Sequence, residues 1–382
     1  MPQTTVVIVG AGASGLSAAG ALKRQGIETV VLEQDSKLGG TWARRYDRLH
    51  LHTVRALSGL AHYPIPRSAS NYLSRDEYVA YLNDYARHFD LRIVTDFPAQ
   101  RIRMESQTPG GWQVVGAHNS WQTRVVILAT GQYRIPRMPV LPGLQDYVGE
   151  FSHSVSYQNA SDYVGKRVLV VGAGNSGAEI ATDLIDGGAA FVAISIRTPP
   201  PIVPRDPFGT PVQRTSMLLS LLPPRIADRL GKMTARIVLG DLSRYGLPAA
   251  DWRPYSSGRV PVIDVGFVSV LKRGLVQIRP ALVRLTATQA VYADGRSEPF
   301  DAIIAATGFT TGLDSLLEDT AVLDDSVEPV NPAGQPTASP GLFFVGYTNS
   351  LRGHLFEANR ASRKLATNVV RYLGQADSDY AG

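Results

Sequence analysis

One pattern occurs twice in this chain and limits its fold more than any other feature. It is a β-branched run, a glycine turn spaced GxGxxG, a helix, and a second apolar run. In the first copy, residues 4–9 read TTVVIV and lead into Gly10, Ala11, Gly12, Ala13, Ser14 and Gly15. Such a run, with little polar alternation, reads as a strand buried on both faces of a parallel sheet. The glycines turn the chain tightly, let backbone approach a pyrophosphate, and let the next helix pack on the strand. That helix is expected over 16–25, stopped by Gly26, and the strand over 28–32 delivers Glu33 to its end. A carboxylate there accepts hydrogen bonds from a ribose 2′-hydroxyl and repels a 2′-phosphate. A lone GxGxxG says little, but with strand, helix and acid in place it predicts a dinucleotide site.

The second copy starts at the strand 167–171, turns through Gly172, Ala173, Gly174, Asn175, Ser176 and Gly177, and continues as a helix over 178–185. Its second strand, 191–196, ends in Arg197 where the first copy ends in Glu33. An arginine there can pair bidentately with a 2′-phosphate. One acidic and one basic fingerprint imply two different dinucleotides, FAD on the first and NADPH on the second, because a flavin activates oxygen and a nicotinamide alone does not.

The expected fold is α/β, with two Rossmann-like dinucleotide-binding domains in three-layer sandwiches. The FAD domain is discontinuous, 1–157 and 290–382, because a late strand at 342–346 and a long helix over 355–373 complete it. That helix's N-terminus, if aimed at the flavin, would stabilise negative charge there. The NADPH domain spans 158–289, with a helical insertion at about 205–243. The insertion's apolar spacing fits a substrate lid, a membrane-surface helix or a dimer contact, and sequence does not choose among them.

Composition narrows the function further. A chain of 382 residues suits two domains. The net charge of +5 is spread without a basic tract interleaved with aromatics, which argues against nucleic acid as a partner. With no cysteine there is no redox dithiol, so a disulfide reductase of similar two-fingerprint layout is excluded. His50 and His52 share one side of an extended segment but have no third ligand spaced to join them, so no metal is expected. No apolar run reaches the ~18–20 residues of a membrane span, and the chain enters its core strand at once, leaving no room for a cleaved signal. A cytoplasmic protein is expected.

Smaller motifs fill in the sites. Gly39, Gly40, Thr41 and Trp42 offer backbone for close approach to a ligand. Ala129-Thr130-Gly131 and Ala306-Thr307-Gly308 end buried strands at the cofactor edges of their sheets. Ser74 and Glu77 form a capping box that opens an amphipathic helix.

Taken in order, the turn at 10–15, Gly39-Gly40-Thr41-Trp42, Tyr147-x-Gly149-x₃-His153-x₃-Tyr157, the turn at 172–177 and Ala306-Thr307-Gly308 resemble the flavin-containing monooxygenases. Tyr147 stands where phenylalanine is usual. Residues 46–52, 244–247, 261–266 and 301–309 are most similar to the YUCCA type of that family. The likeness covers nearly the whole chain and thins over 207–236 and at 352–355. It implies that NADPH reduces the flavin and oxygen then adds at C4a. The resulting (hydro)peroxyflavin oxygenates a small organic substrate, as in oxidative decarboxylation of an indole-3-pyruvate-like 2-oxo acid. N- or S-oxygenation and Baeyer–Villiger chemistry stay open, as does a non-catalytic flavoprotein, which would not need the 147–157 segment. The resemblance places His52 where animal-type members carry an asparagine beside the flavin. His52, Tyr147, His153 and Asn175 are the candidates for shaping the reactive pocket. Substrate and O₂ are the expected partners, and a homodimer is left open.

Overall fold

The β-branched run at the start forms the strand Gln3–Val9, a central strand of a seven-stranded sheet. A computed structural model describes residues 2–105 and 111–381; Met1 and Gly382, the outer ends of the expected first domain, lie outside the described residues. On one side Gln3–Val9 pairs in parallel with Thr29–Leu32, with Val6 opposite Thr29. On the other it pairs in parallel with Ser120–Leu128. Ser120–Leu128 does two things along its length. Its first half pairs antiparallel with Gly111–Val115, and its second half pairs in parallel with Leu342–Phe344. A strand from far downstream thus completes the first sheet. Val6, Val7, Ile8, Val30, Val31, Val126 and Ile127 are fully buried, which is why these runs show no polar alternation.

The helix Ala13–Lys23 is buried along almost its whole length. A Cβ on Gly20 would lie 2.1 Å from the Tyr85 hydroxyl, so the helix Arg75–His88 packs there only because position 20 has no side chain. Ser74 and Glu77 form the expected capping box.

The second sheet has five parallel strands in the order Val276–Arg279, Phe191–Ser195, Arg167–Val171, Ala302–Ala305, Glu150–His153. The helix Asn175–Asp186 packs on it, and Val168, Ile180, Leu184, Val192, Ile194 and Phe267 share its core. The insertion forms the helices Val212–Leu219 and Pro224–Leu239.

The chain divides into two compact units, Met1–Arg44 with Thr53–Ile135 and Phe309–Gly382, and Arg45–His52 with Pro136–Gly308. The divisions therefore fall near 135 and 308, not at 157 and 290 as the sequence leads one to expect. The physical reason is pairing. Glu150–His153 adds to the edge of Ala302–Ala305, so this segment and the strand that leads into the second Ala-Thr-Gly both belong to the second sheet. Among the described residues no helix is long and apolar enough to cross a membrane. No group of three His, Asp or Glu side chains there could hold a metal ion.

Candidate functional site

The first glycine turn is built by exclusion. Gly10 has φ +105°, and a Cβ on it would meet the Ala129 carbonyl oxygen at 2.7 Å. A Cβ on Gly15 would lie 1.9 Å from the Gly10 carbonyl oxygen. At Gly12, by contrast, a Cβ would meet nothing within 4 Å. The open side of Gly12 at the start of the helix is the cradle a phosphate needs, with free N–H groups and the helix dipole directed at it.

Glu33 lies buried against this turn. The Ala11 N–H donates to its Oε2 (2.7 Å) and the Asp35 N–H to its Oε1 (3.0 Å). Burial raises its carboxyl above the ordinary range despite these bonds. Gly40 comes close as well, since a Cβ on it would lie 3.8 Å from the Gly12 Cα. Thr41 is half-buried, and Trp42 stands edge-on to Tyr78, ring centres 5.1 Å apart. Ser14 is buried against Gly346, where a Cβ would come within 2.3 Å of the Ser14 Oγ. The Thr130 and Tyr347 hydroxyls are 2.8 Å apart, and Gly131 follows at φ +82°.

The second turn repeats this geometry. Gly172 has φ +106°, with the Ala306 carbonyl oxygen 2.6 Å from where its Cβ would be, and a Cβ on Gly177 would lie 1.9 Å from the Gly172 oxygen. Gly174 again faces open space. Arg197 lies two residues beyond Phe191–Ser195, exposed and without an ion pair among the described residues. Both turns thus have room for a dinucleotide phosphate, and the second copy places an exposed cation, Arg197, where the first places the buried Glu33.

The four pocket candidates are all in the second unit, and each side chain is bonded to the protein itself. The Tyr147 hydroxyl is turned inward and donates to the Phe300 carbonyl (2.7 Å), and burial pushes its pKa up to about 12. His153 is buried, and burial lowers its pKa, so the imidazole is held neutral. Its Nδ1 accepts from the Val155 N–H (3.1 Å), which assigns the proton to Nε2, the donor to the Gly308 carbonyl (3.1 Å). His153 therefore ties its strand to the Ala306-Thr307-Gly308 turn. Thr307 adds a second tie, its hydroxyl donating to the Arg137 carbonyl (2.5 Å). Asn175 spans to a distant strand, its Oδ1 accepting from the Ile263 N–H (2.8 Å) and its Nδ2 donating to the Pro261 carbonyl (3.3 Å).

His52 leads to two residues that sequence reasoning missed. Its Nε2 lies 2.6 Å from the Glu179 Oε1, and Glu179 is buried on the helix that follows the second turn. Tyr46 is buried, and burial, with the nearby Glu179 carboxylate adding to it, holds its hydroxyl well above the ordinary tyrosine value. A single signal was available: Glu179 is an acid within a buried stretch of that helix, just after a phosphate turn. His50 faces solvent and its ring Nδ1 bonds the Arg48 carbonyl (2.7 Å).

Comparison with known proteins adds an independent line. Residues 3–337 match the family described as FMO-like, flavin-binding monooxygenase-like. The chain is 34% identical over 351 residues to the indole-3-pyruvate monooxygenase YUCCA1 of Oryza sativa subsp. japonica, a match covering 90% of this chain and 86% of that one. It is 33% identical over 378 residues to the indole-3-pyruvate monooxygenase YUCCA6 of Arabidopsis thaliana, covering 95% and 90%. Among solved structures it is similar to a flavin-containing monooxygenase from Stenotrophomonas maltophilia, with a TM-score of 0.74 and 25% identity over 98% of this chain and 100% of that one.

Proposed function

Because the chain belongs to the flavin-binding monooxygenase family, and is an NADPH-dependent flavoprotein monooxygenase, we propose that its two glycine turns divide the cofactors between them. FAD sits on the turn backed by Glu33, and NADPH on the turn that leads to Arg197. When bound and reduced, FAD supplies the oxygen activation that no side chain can. The relatives that act on indole-3-pyruvate favour a 2-oxo acid with an apolar aromatic group over N-, S- or ketone oxygenation. The balanced reaction takes the 2-oxo acid, O₂, NADPH and a proton to the acid one carbon shorter, CO₂, water and NADP⁺. One oxygen atom enters the new carboxylate and the other leaves as water.

The chain's own residues bind and position. Backbone N–H groups beside Gly12 and Gly174 receive the two pyrophosphates. Glu33 accepts from a ribose hydroxyl, and Arg197 pairs with a 2′-phosphate. His153 and Thr307 fix the turn below the second site, and Asn175 fixes the strand beside it. On this reading Tyr147, His153 and Asn175 are positioning residues, and His52 is held in place by Glu179. A cytoplasmic setting, where NADPH is available, completes the reading.

The observation that carries the division is the contrast between a buried carboxylate behind one turn and, beyond the other, an exposed guanidinium unpaired among the described residues. Arg197→Ala is expected to raise the NADPH KM about tenfold to a hundredfold, the loss of one charge-assisted pair, and to leave NADH nearly unchanged. Equal losses with both cofactors would refute the assignment. Incubation with indole-3-pyruvate, NADPH and ¹⁸O₂ should give indole-3-acetate carrying one labelled atom, read by mass spectrometry. NADPH consumption that yields only hydrogen peroxide would exclude that substrate.

A further inference from the structure

The helix Pro224–Leu239 carries a pattern that neither cofactor site uses. Four cations, Arg225, Arg229, Lys232 and Arg236, are each followed by an apolar residue, Ile226, Leu230, Met233 and Ile237. The spacing i, i+4, i+7, i+11 places each set on its own stripe, and the one-residue offset puts the stripes about 100° apart. A third face points inward, where Ala227 and Asp228 are buried. Asp228 accepts from the N–H groups of Tyr255 (2.8 Å) and Ser256 (3.0 Å), which fixes the helix's rotation and keeps the other two stripes outward. Three of the four residues of the apolar stripe are accordingly in solvent, with Ile226 51%, Met233 54% and Ile237 63% exposed, and Leu230 is half-buried. The end of the preceding helix and the turn after it add exposed Leu218 and Leu221. None of the four cations holds an ion pair among the described residues.

Exposed apolar residues in one stripe beside unpaired cations in the next are what a helix lying in the plane of a lipid surface requires. We propose that this face docks on an anionic phospholipid surface, its apolar stripe in the headgroup boundary and its cations on lipid phosphates. A second copy of the chain fits poorly, because a symmetric contact through this face would set two uncompensated cationic stripes against each other. The expected association is peripheral, reversible and weakened by salt.

The test is flotation of the purified holoenzyme with vesicles of about three parts phosphatidylcholine to one part phosphatidylglycerol, against phosphatidylcholine alone, at low and high salt. Wild type should float with the anionic vesicles at low salt and not with the neutral ones. Replacing the cations with glutamine should weaken binding about fivefold for each one removed, and several hundredfold for all four. Ile226→Ser with Met233→Ser and Ile237→Ser should abolish it. Both sets of variants should keep the wild-type melting temperature and NADPH oxidation, which separates lost docking from lost fold. If the apolar variant does not fold, the glutamine series decides alone. No flotation of wild type on anionic vesicles would overturn the proposal, and so would variants that float as well as wild type. A lipid-free dimer in sedimentation that the apolar variant dissociates would also overturn it, in favour of a second copy.

Discussion

Gly174 and Gly177 lie three residues apart in one turn, and adding a methyl group to each should have opposite consequences. At Gly177 the new Cβ would stand 1.9 Å from the Gly172 carbonyl oxygen. That oxygen is backbone of a residue itself held at φ +106°, so the turn or the helix must shift. Overpacking of this kind costs about 1–3 kcal/mol and sometimes more. At Gly174 the backbone is φ −73°, ψ −178°, a conformation alanine adopts freely, and nothing lies within 4 Å. Losing glycine at this N-cap costs at most about 1 kcal/mol, a few degrees of Tm. The methyl group would instead occupy the cradle and disturb one of the N–H contacts to phosphate, each worth about 1.5–3 kcal/mol to a charged group. Gly174→Ala is therefore expected to purify yellow and to melt within a few degrees of wild type. In stopped-flow reduction of the flavin, its half-saturating NADPH concentration should rise about tenfold to a hundredfold. Gly177→Ala should be insoluble or melt many degrees lower. If Gly174→Ala is reduced with wild-type half-saturation, the turn is not the NADPH cradle. If Gly177→Ala melts like wild type, the close approach to Gly172 is wrong.

The remaining predictions concern buried polar groups. Burial holds His153 below its ordinary pKa, so the folded protein binds fewer protons than the unfolded chain as pH falls. Its contribution to stability is complete above the unfolded value near ~6.5 and is lost as pH drops through the window toward the folded value. In chemical denaturation, His153→Gln should be less stable than wild type at neutral pH, with the gap narrowing under more acid conditions; a gap independent of pH would sink the neutral-tie reading. Glu179→Ala leaves His52 without its buried acceptor, at about 1–3 kcal/mol, and should lower Tm by a few degrees. An unchanged Tm would show that the bond does not contribute.

The repeated strand, turn and helix were legible because each is a local event. Valines and isoleucines without alternation, three glycines at fixed spacing and a charged residue at the end of the next strand need no knowledge of distant partners. What the sequence did not reveal depends on long-range contacts. Asn175 looks like part of a phosphate turn, and the backbone that takes up its amide lies at Pro261 and Ile263. His52 looks like a pocket residue, and its partner Glu179 sits 127 positions away. Tyr147 reads as a specific motif residue, yet its hydroxyl is committed to the carbonyl of Phe300. The boundaries moved for the same reason, since a four-residue strand goes to whichever sheet offers an open edge, and pattern alone does not say which. The sequence marks candidate positions at these sites more clearly than what their side chains hold.

The two turns also bear on how one chain keeps two dinucleotides apart. Their closest approaches agree, 1.9 Å at Gly15 and at Gly177, and 2.7 and 2.6 Å at Gly10 and Gly172. Backbone geometry this similar cannot distinguish the cofactors, so discrimination falls on what stands beyond each second strand. There the symmetry ends. Glu33 is buried and already accepts the N–H of Ala11, a residue of the turn itself, so the acid proposed to meet the ribose is also part of the scaffold. Arg197 is exposed and holds no hydrogen bond or ion pair among the described residues. Exchanging the two charges is therefore not a symmetric operation. A basic residue at position 33 would leave a buried N–H unpaired and place an uncompensated charge against the turn, at several kcal/mol. On the proposed assignment, an acidic residue at position 197 would disturb only the choice of nucleotide. On the proposed division of cofactors, specificity at the second site can be altered without touching stability, whereas at the first site the group proposed to read the ribose also holds the turn in shape.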